Sequence, residues 1–390
     1  MPKAHLKCLQ QVVDLPTAPF VEDHVIRYIE AFAARRSALR IRRDTFGNLL
    51  VRYEPARKSN SRIRPILFAA HMDHPGFVAT RMEDTAHVRA EFLGGVRRPY
   101  FRDAKIQFYS DKRWVPATIE KLISARHKNP RSKKAASSAR SFAIMAPPEA
   151  VIARVKMPVE SGSPGMWRIG DSTTRGHRLR ARVCDDLAGL AAILCMLDTV
   201  CRKKSQTATY AFFTRAEEVG FAGALAAVAQ RTVPRRALVV AVENSSVIPG
   251  VTLGAGPVLR VGDKATVFTP EVTAYCQVVA EQLSKKDKAF RFQRKLMDGG
   301  TCESTAYCHY GYDATGICLP LVNYHNMDTA RKKIAAESID VRDYLNLVRW
   351  FVALAEAPAT LAFDGTHPGL GKRLDSLLNK HRDRLIRTAR

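Results

Sequence analysis

A chain of 390 residues with 46% hydrophobic content can bury a sizeable core and suggests two domains more readily than one, which excludes a disordered or fibrous protein. Its 62 Lys and Arg against 37 Asp and Glu give a formal charge of +25; that field attracts nucleic acid, anionic membrane or acidic peptides without choosing among them, and no recognition-helix, KH or RRM signature accompanies it. No run approaches the roughly 18 apolar residues of a spanning helix, and the first twenty residues lack an apolar signal core, so a soluble, cytoplasmic protein is expected.

In chain order, Thr17 to Arg35 reads as a capped amphipathic helix with Val21, Val25, Ile29 and Phe32 at helical spacing. A strand follows at Thr45 to Tyr53, then a fully apolar one at Pro65 to Ala70 that runs into His71-Met-Asp73. From about Val78 the texture changes to short alternating pieces, His87 to Phe92, Lys105 to Tyr109, Trp114 to Ile119 and Ala150 to Val155. Gly, Pro and Asp interrupt them so regularly that a small barrel or sandwich inserted into a split first domain is expected. The expected division is 1–77 with 183–360 for the split domain, 78–182 for the insert with a basic loop at 127–140, and 361–390 for a linker and a basic amphipathic tail. That tail, with Leu374, Leu377, Leu378, Leu385 and Ile386, is expected to dock on its own protein. The eight cysteines form no Cys-x-x-Cys pair, which fits reduced thiols better than a disulfide framework or a zinc knuckle.

Past Arg182 long helices and buried strands return. Tyr210 to Phe213 ends before Glu217-Glu218 and a Gly/Ala helix, Ala237 to Val242 runs into Glu243, and Ala314 to Val322 runs into His325. Glu271 to Leu283 and Ile339 to Ala355 read as helices, and Gly299-Gly300-Thr301 as a sharp turn. Taken singly these acids have ordinary readings: Glu217-Glu218 as a solvated turn, Asp185-Asp186 as an N-cap. Together they differ, because ligands in an open α/β sheet gather beyond the carboxyl ends of its strands. A paired metal site needs about two terminal ligands per ion and one shared carboxylate. His71, Asp185, Glu218, Glu243 and His325 supply that set, with Asp185 bridging and Asp73 orienting His71. Glu217 is left over as general base for a water between the metals, and hydrolysis of an amide or ester is the reaction implied.

The ordered motifs HMDHPG (71–76), CDDLAG (184–189), AEEVGFAGA (216–224), LGAGP (253–257), GGT (299–301) and YHN (324–326) resemble the dinuclear metallo-aminopeptidases of the glutamyl and tetrahedral aminopeptidase family. The stretch from Asp73 to Asp185, longer than that from Glu243 to His325, places an extra domain where that family has its β-barrel. The resemblance implies a three-layer α/β/α catalytic domain with that barrel inserted, and removal of N-terminal residues from peptides. It also implies two divalent ions, zinc foremost with cobalt or manganese as alternatives, and a large homo-oligomer. Glu243 departs from a more usual Asp, His74 from Glu or Gln, Leu187 from Arg, and Cys302-Glu303 from Asp-Ala. A deacylase or carboxypeptidase on the same core, or a non-catalytic basic scaffold, is the alternative to an aminopeptidase.

Overall fold

The computed structural model describes residues 2–56, 64–102, 104–124, 146–357 and 370–389; the basic stretch 127–140 and the linker residues 361–369 lie outside them. The chain begins with α1 (Pro2–Val13), α2 (Asp23–Ala34), β1 (Leu39–Arg43), β2 (Leu49–Tyr53) and β3 (Ile66–His71). Next come β4 (Gly76–Met82), β5 (His87–Leu93), β6 (Lys105–Ser110), β7 (Arg113–Ile123), β8 (Ala150–Val155) and β9 (Pro164–Trp167). A small antiparallel piece, β10 (Thr173–Arg175) and β11 (Arg178–Ala181), leads to α3 (Leu187–Lys203), β12 (Thr209–Thr214), α4 (Ala222–Ala229), β13 (Leu238–Ser246) and β14 (Val258–Asp263). After α5 (Pro270–Lys286) and β15 (Gln293–Met297) follow α6 (Glu303–His309), β16 (Asp313–Leu321), β17 (Met327–Asp328), β18 (Lys333–Ile334) and β19 (Glu337–Asp340). The last helices are α7 (Val341–Glu356) and α8 (Leu370–Thr388).

Eight strands form one sheet in the order β1-β2-β12-β3-β13-β16-β14-β15. Its middle four, β12, β3, β13 and β16, run parallel, so their carboxyl ends lie along one edge. Parallel strands are covered on both faces, and the side-chain period of two shows how. From β3, Ile66, Phe68 and Ala70 enter the core under α1, α2, α3, α5 and α7, while Leu67 and Ala69 enter a second core with Ala224, Val228, Tyr307 and Tyr312 of the α4 and α6 side. The result is the expected helix-sheet-helix layering.

Between β3 and β10 the short strands close into a barrel in the order β4-β5-β8-β7-β6-β9. Phe77, Phe92, Phe101 and Trp167 fill it, with Phe77 and Phe92 ring centres 5.0 Å apart in edge-to-face geometry. The expected insert is therefore a barrel and not a sandwich.

Three local expectations are corrected. The helix read from Thr17 starts only at Asp23, because Pro19 and the positive φ of Phe20 break it, and the Thr17 hydroxyl donates instead to the Met72 carbonyl at 2.7 Å. Asp186 occupies the N-cap position of α3 without a side-chain capping bond. The tail helix α8 forms but is solvent-exposed along its length; Leu374 and Ile386 keep 54% and 65% of their surface, so it docks on no described part of the chain. Eight cysteines are free, and no described helix is long and apolar enough to cross a membrane.

Candidate active site

Each of the sequence-predicted residues sits at or just beyond the carboxyl edge of the parallel strands, or at the start of α3. His71 ends β3, and Asp73 lies two residues on. Asp185 precedes α3, Glu217 and Glu218 occupy a single 3-10 turn after β12, Glu243 lies within β13, and His325 lies in a 3-10 turn after β16. Among the non-glycine residues held in the left-handed region are Ala216 (φ 51°) just before the acid pair and His325 (φ 53°) itself. Such conformations cost about 1 to 3 kcal/mol each and persist where the surroundings over-determine them.

Those surroundings are specific. Glu22, fully buried, accepts the Ala216 N–H at 3.0 Å and the Arg215 Nε at 2.7 Å, pinning the loop that carries the acid pair. The Asp73 carboxylate accepts the N–H groups of Glu217 at 2.9 Å and Glu218 at 3.0 Å, so it fixes where both acids start. Its own carbonyl is 3.1 Å from His71 Nδ1, nearer than its carboxylate at 3.6 Å. With Nδ1 facing that carbonyl, Nε2 of His71 is turned toward the acids.

Asp185 lies between two histidines. One of its oxygens is 3.5 Å from His71 Nε2 and the other 3.7 Å from His325 Nε2. Glu243 approaches His71 at 4.0 Å, and Glu218 approaches His325 at 3.1 Å. Two triads result, His71-Asp185-Glu243 and Asp185-Glu218-His325, each with donor atoms within 4.8 Å and sharing Asp185; Glu217 forms a third grouping with His71 and Glu218.

The electrostatics are those of anions crowded in a dry place. Burial and the charges of its acidic neighbours push Glu217 well above the usual carboxylate range, and burial with Asp185 raises Glu243 to about 8. Burial alone would lower both histidines, yet the carboxylates outweigh it and raise His71 strongly and His325 to about 9. Glu218 Oε1 and Glu243 Oε1 are buried without a hydrogen-bond partner. Unpaired buried polar atoms of this kind are costly unless a cation gathers them.

Sequence reasoning gave no supporting role to several residues that build the site. Glu337 of β19 accepts the N–H of Cys184 at 2.6 Å and Asp185 at 3.1 Å on one oxygen, and that of His325 at 2.8 Å on the other. Gly95, from the barrel side, offers its carbonyl to His325 Nδ1 at 3.0 Å. His74 ties the Asp185 carbonyl (2.8 Å) to the Asn326 side chain (3.0 Å). Glu303, at the start of α6, is a further buried acid raised to about 7 by burial. Beside Glu243 a cavity of about 340 Å³ opens, with Arg97, Arg260, Gly299, Gly300 and Tyr324 among its walls.

A mixed sheet thus carries at its carboxyl edge a polar cluster able to gather cations, and Gly95 from the barrel side completes it. The M42 glutamyl aminopeptidase family profile matches residues 47–343, more than half of the chain, and the chain belongs to that family. It is 27% identical over 265 residues to a protein of Acetivibrio thermocellus, itself named only provisionally as an aminopeptidase, covering 67% of this chain and 73% of that one. Its fold is similar to the TET1 peptidase of Pyrococcus horikoshii (TM-score 0.70, 18% identity, 90% of this chain and 99% of that chain). It is also similar to an aminopeptidase of the archaeon Desulfurococcus kamchatkensis (TM-score 0.69, 19% identity, 92% and 96%).

Proposed function

We propose that the chain is an aminopeptidase that holds two divalent metal ions, zinc foremost, and removes N-terminal residues from peptides. The observation that carries the reading is the shared carboxylate: Asp185 presents one oxygen to His71 and the other to His325. His71 and Glu243 then complete one ligand set, and Glu218 and His325 the other. The residues fit such cations, since Glu218 and Glu243 each keep a buried carboxylate oxygen with no hydrogen-bond partner, and the two histidine Nε2 atoms face the same acids. When bound, a pair of divalent ions supplies Lewis acidity, polarising the amide carbonyl and acidifying water.

The chain's own residues do the rest. Glu217 stays outside both ligand sets, and its burial favours proton binding, so its carboxylate can take a proton from the attacking water and hand it to the leaving amine. Asp73 acts as a positioning residue through the Glu217 and Glu218 backbone. The cavity beside Glu243 receives the first side chain of the substrate. The Pyrococcus TET1 peptidase assembles into a tetrahedron or an octahedral shell, which supports a homo-oligomer here as well.

The test is a peptide panel offered with free and N-acetylated amino ends to metal-reconstituted protein. Cleavage of the free peptides alone is expected; equal or preferential cleavage of blocked ones would replace the aminopeptidase by a deacylase.

A further inference from the structure

A cleft of about 910 Å³ with a strongly basic wall lies on the barrel side, next to the β17-β18 hairpin. Arg98, Arg102, Lys105, Arg168, Lys332 and Lys333 converge on it, and no acidic side chain is among its described lining residues. Arg98 donates to the Ser124 hydroxyl at 2.7 Å, and none of the six forms an ion pair with a described residue. Six like charges around one concavity repel one another, and an anion brought among them relieves that repulsion while their field draws it in. The floor between them is apolar, from Leu122, Ile169 and Ile334.

Two features say which anion. Among the described residues no aromatic or histidine ring lines the cleft, so its described wall offers no stacking platform on which single-stranded nucleic acid could lay its bases. The cleft also shares its wall with the cavity beside Glu243. Gly95 and Arg97 face that cavity while Arg98 faces the cleft, and Met327 lines the cavity while its cross-strand partner Ile334 lines the cleft. Directly paired strand residues are about 5 Å apart, and an extended peptide advances about 3.3 Å per residue. A few residues of substrate therefore span the distance from one to the other. We propose that this cleft holds the acidic downstream residues, from about the third onward, of a peptide whose amino end lies at the His71-Asp185-His325 cluster. The inference rests on the aminopeptidase reading for the direction of the peptide, and on the cleft itself for its charge preference.

The experiment uses full-length protein and fluorescent peptides sharing one N-terminal dipeptide followed by four Glu, four Gln or four Lys. Binding is measured by anisotropy on metal-free protein, and kcat/KM on metal-reconstituted protein, with a single aminoacyl anilide too short to reach the cleft as reference. The Glu-tailed peptide is expected to bind about tenfold tighter than the Gln-tailed one, to gain through KM, and to lose the gain in high salt. The exposed-site variant Arg168→Glu/Lys333→Glu should erase that preference with the anilide rate unchanged. Equal binding of Glu and Gln tails, or an unaltered preference in the variant, overturns the inference. So does tight oligothymidine binding without an acidic-tail preference. Loss of all cleavage with the Glu preference in binding intact removes the aminopeptidase reading and leaves the cleft's ligand chemistry standing.

Discussion

Glu337 holds together two parts of the site that are far apart in sequence, and removing its charge tests whether the cluster is held as described. Its carboxylate is fully buried and accepts three backbone N–H groups, from Cys184 and Asp185 on one oxygen and His325 on the other. Hydrogen bonds to a charged group contribute about 1.5 to 3 kcal/mol each, and a buried donor left without a partner costs about 1 to 3 kcal/mol. Glu337→Gln keeps the shape and can keep the Cys184 and Asp185 bonds, but it turns an amide NH2 toward the His325 N–H, so about 2 to 3 kcal/mol is lost. Glu337→Ala abandons all three donors, and a loss of about 4 kcal/mol or more is expected. Because Asp185 and His325 would both shift, metal affinity should fall about 10- to 100-fold in the Gln variant, as for other supports behind metal ligands. Urea unfolding of metal-free protein and competition of zinc against a chelating dye measure the two effects. A Gln variant within 0.5 kcal/mol of the parent and with unchanged zinc affinity would refute the reasoning.

Glu217→Gln should abolish turnover and retain metal, whereas Glu218→Gln should lose metal at the His325 side; the reverse pattern in metal analysis and rate would mean the two roles are exchanged. Gly95→Ala places a methyl group 3.3 Å from His325 Nδ1 and 3.4 Å from its Cε1, so kcat/KM should fall about tenfold with little change in melting temperature. Asp340 is the N-cap of α7, and Asp340→Ala should cost about 1 kcal/mol at pH 7 by thermal unfolding. Burial would raise the Asp340 pKa, but the Arg342 side chain and N–H outweigh it and hold it below the usual carboxylate range. A depressed native pKa means that the stabilisation is present above the unfolded value near 4 and disappears as pH falls through the native one. The parent and Asp340→Ala stability curves should therefore converge as pH falls through the native pKa; parallel curves would contradict the assignment.

Much of the sheet was legible because buried parallel strands leave continuous apolar runs, and those ending at His71, Glu243 and His325 are bounded by residues with no place in a core. The insert showed itself through a change of period, with Gly76–Met82 through Pro164–Trp167 supplying the six strands of the barrel. What holds the cluster was not legible. Glu22 meets Ala216 across 194 positions and Glu337 meets Asp185 across 152, and a side chain that bonds a distant backbone N–H leaves no local pattern. Glu22 and Glu337 read as ordinary charged residues until the tertiary fold buries them. Helix α1 is not legible although Leu9, Val12 and Val13 are fully buried, because His5, Lys7, Gln10 and Gln11 interrupt its apolar residues and no acidic residue marks its first turn. The tail helix shows the opposite failure: its apolar spacing is real, but spacing alone does not say what covers it.

In the proposed centre five side chains gather two cations around Asp185, and metal stoichiometry tests that directly. Protein saturated with zinc, freed of excess by dialysis and analysed by mass spectrometry should carry about two ions per chain. His71→Ala and His325→Ala should each hold about one. Full aminopeptidase activity in protein stripped of all metal, or two ions retained in both variants, would contradict it.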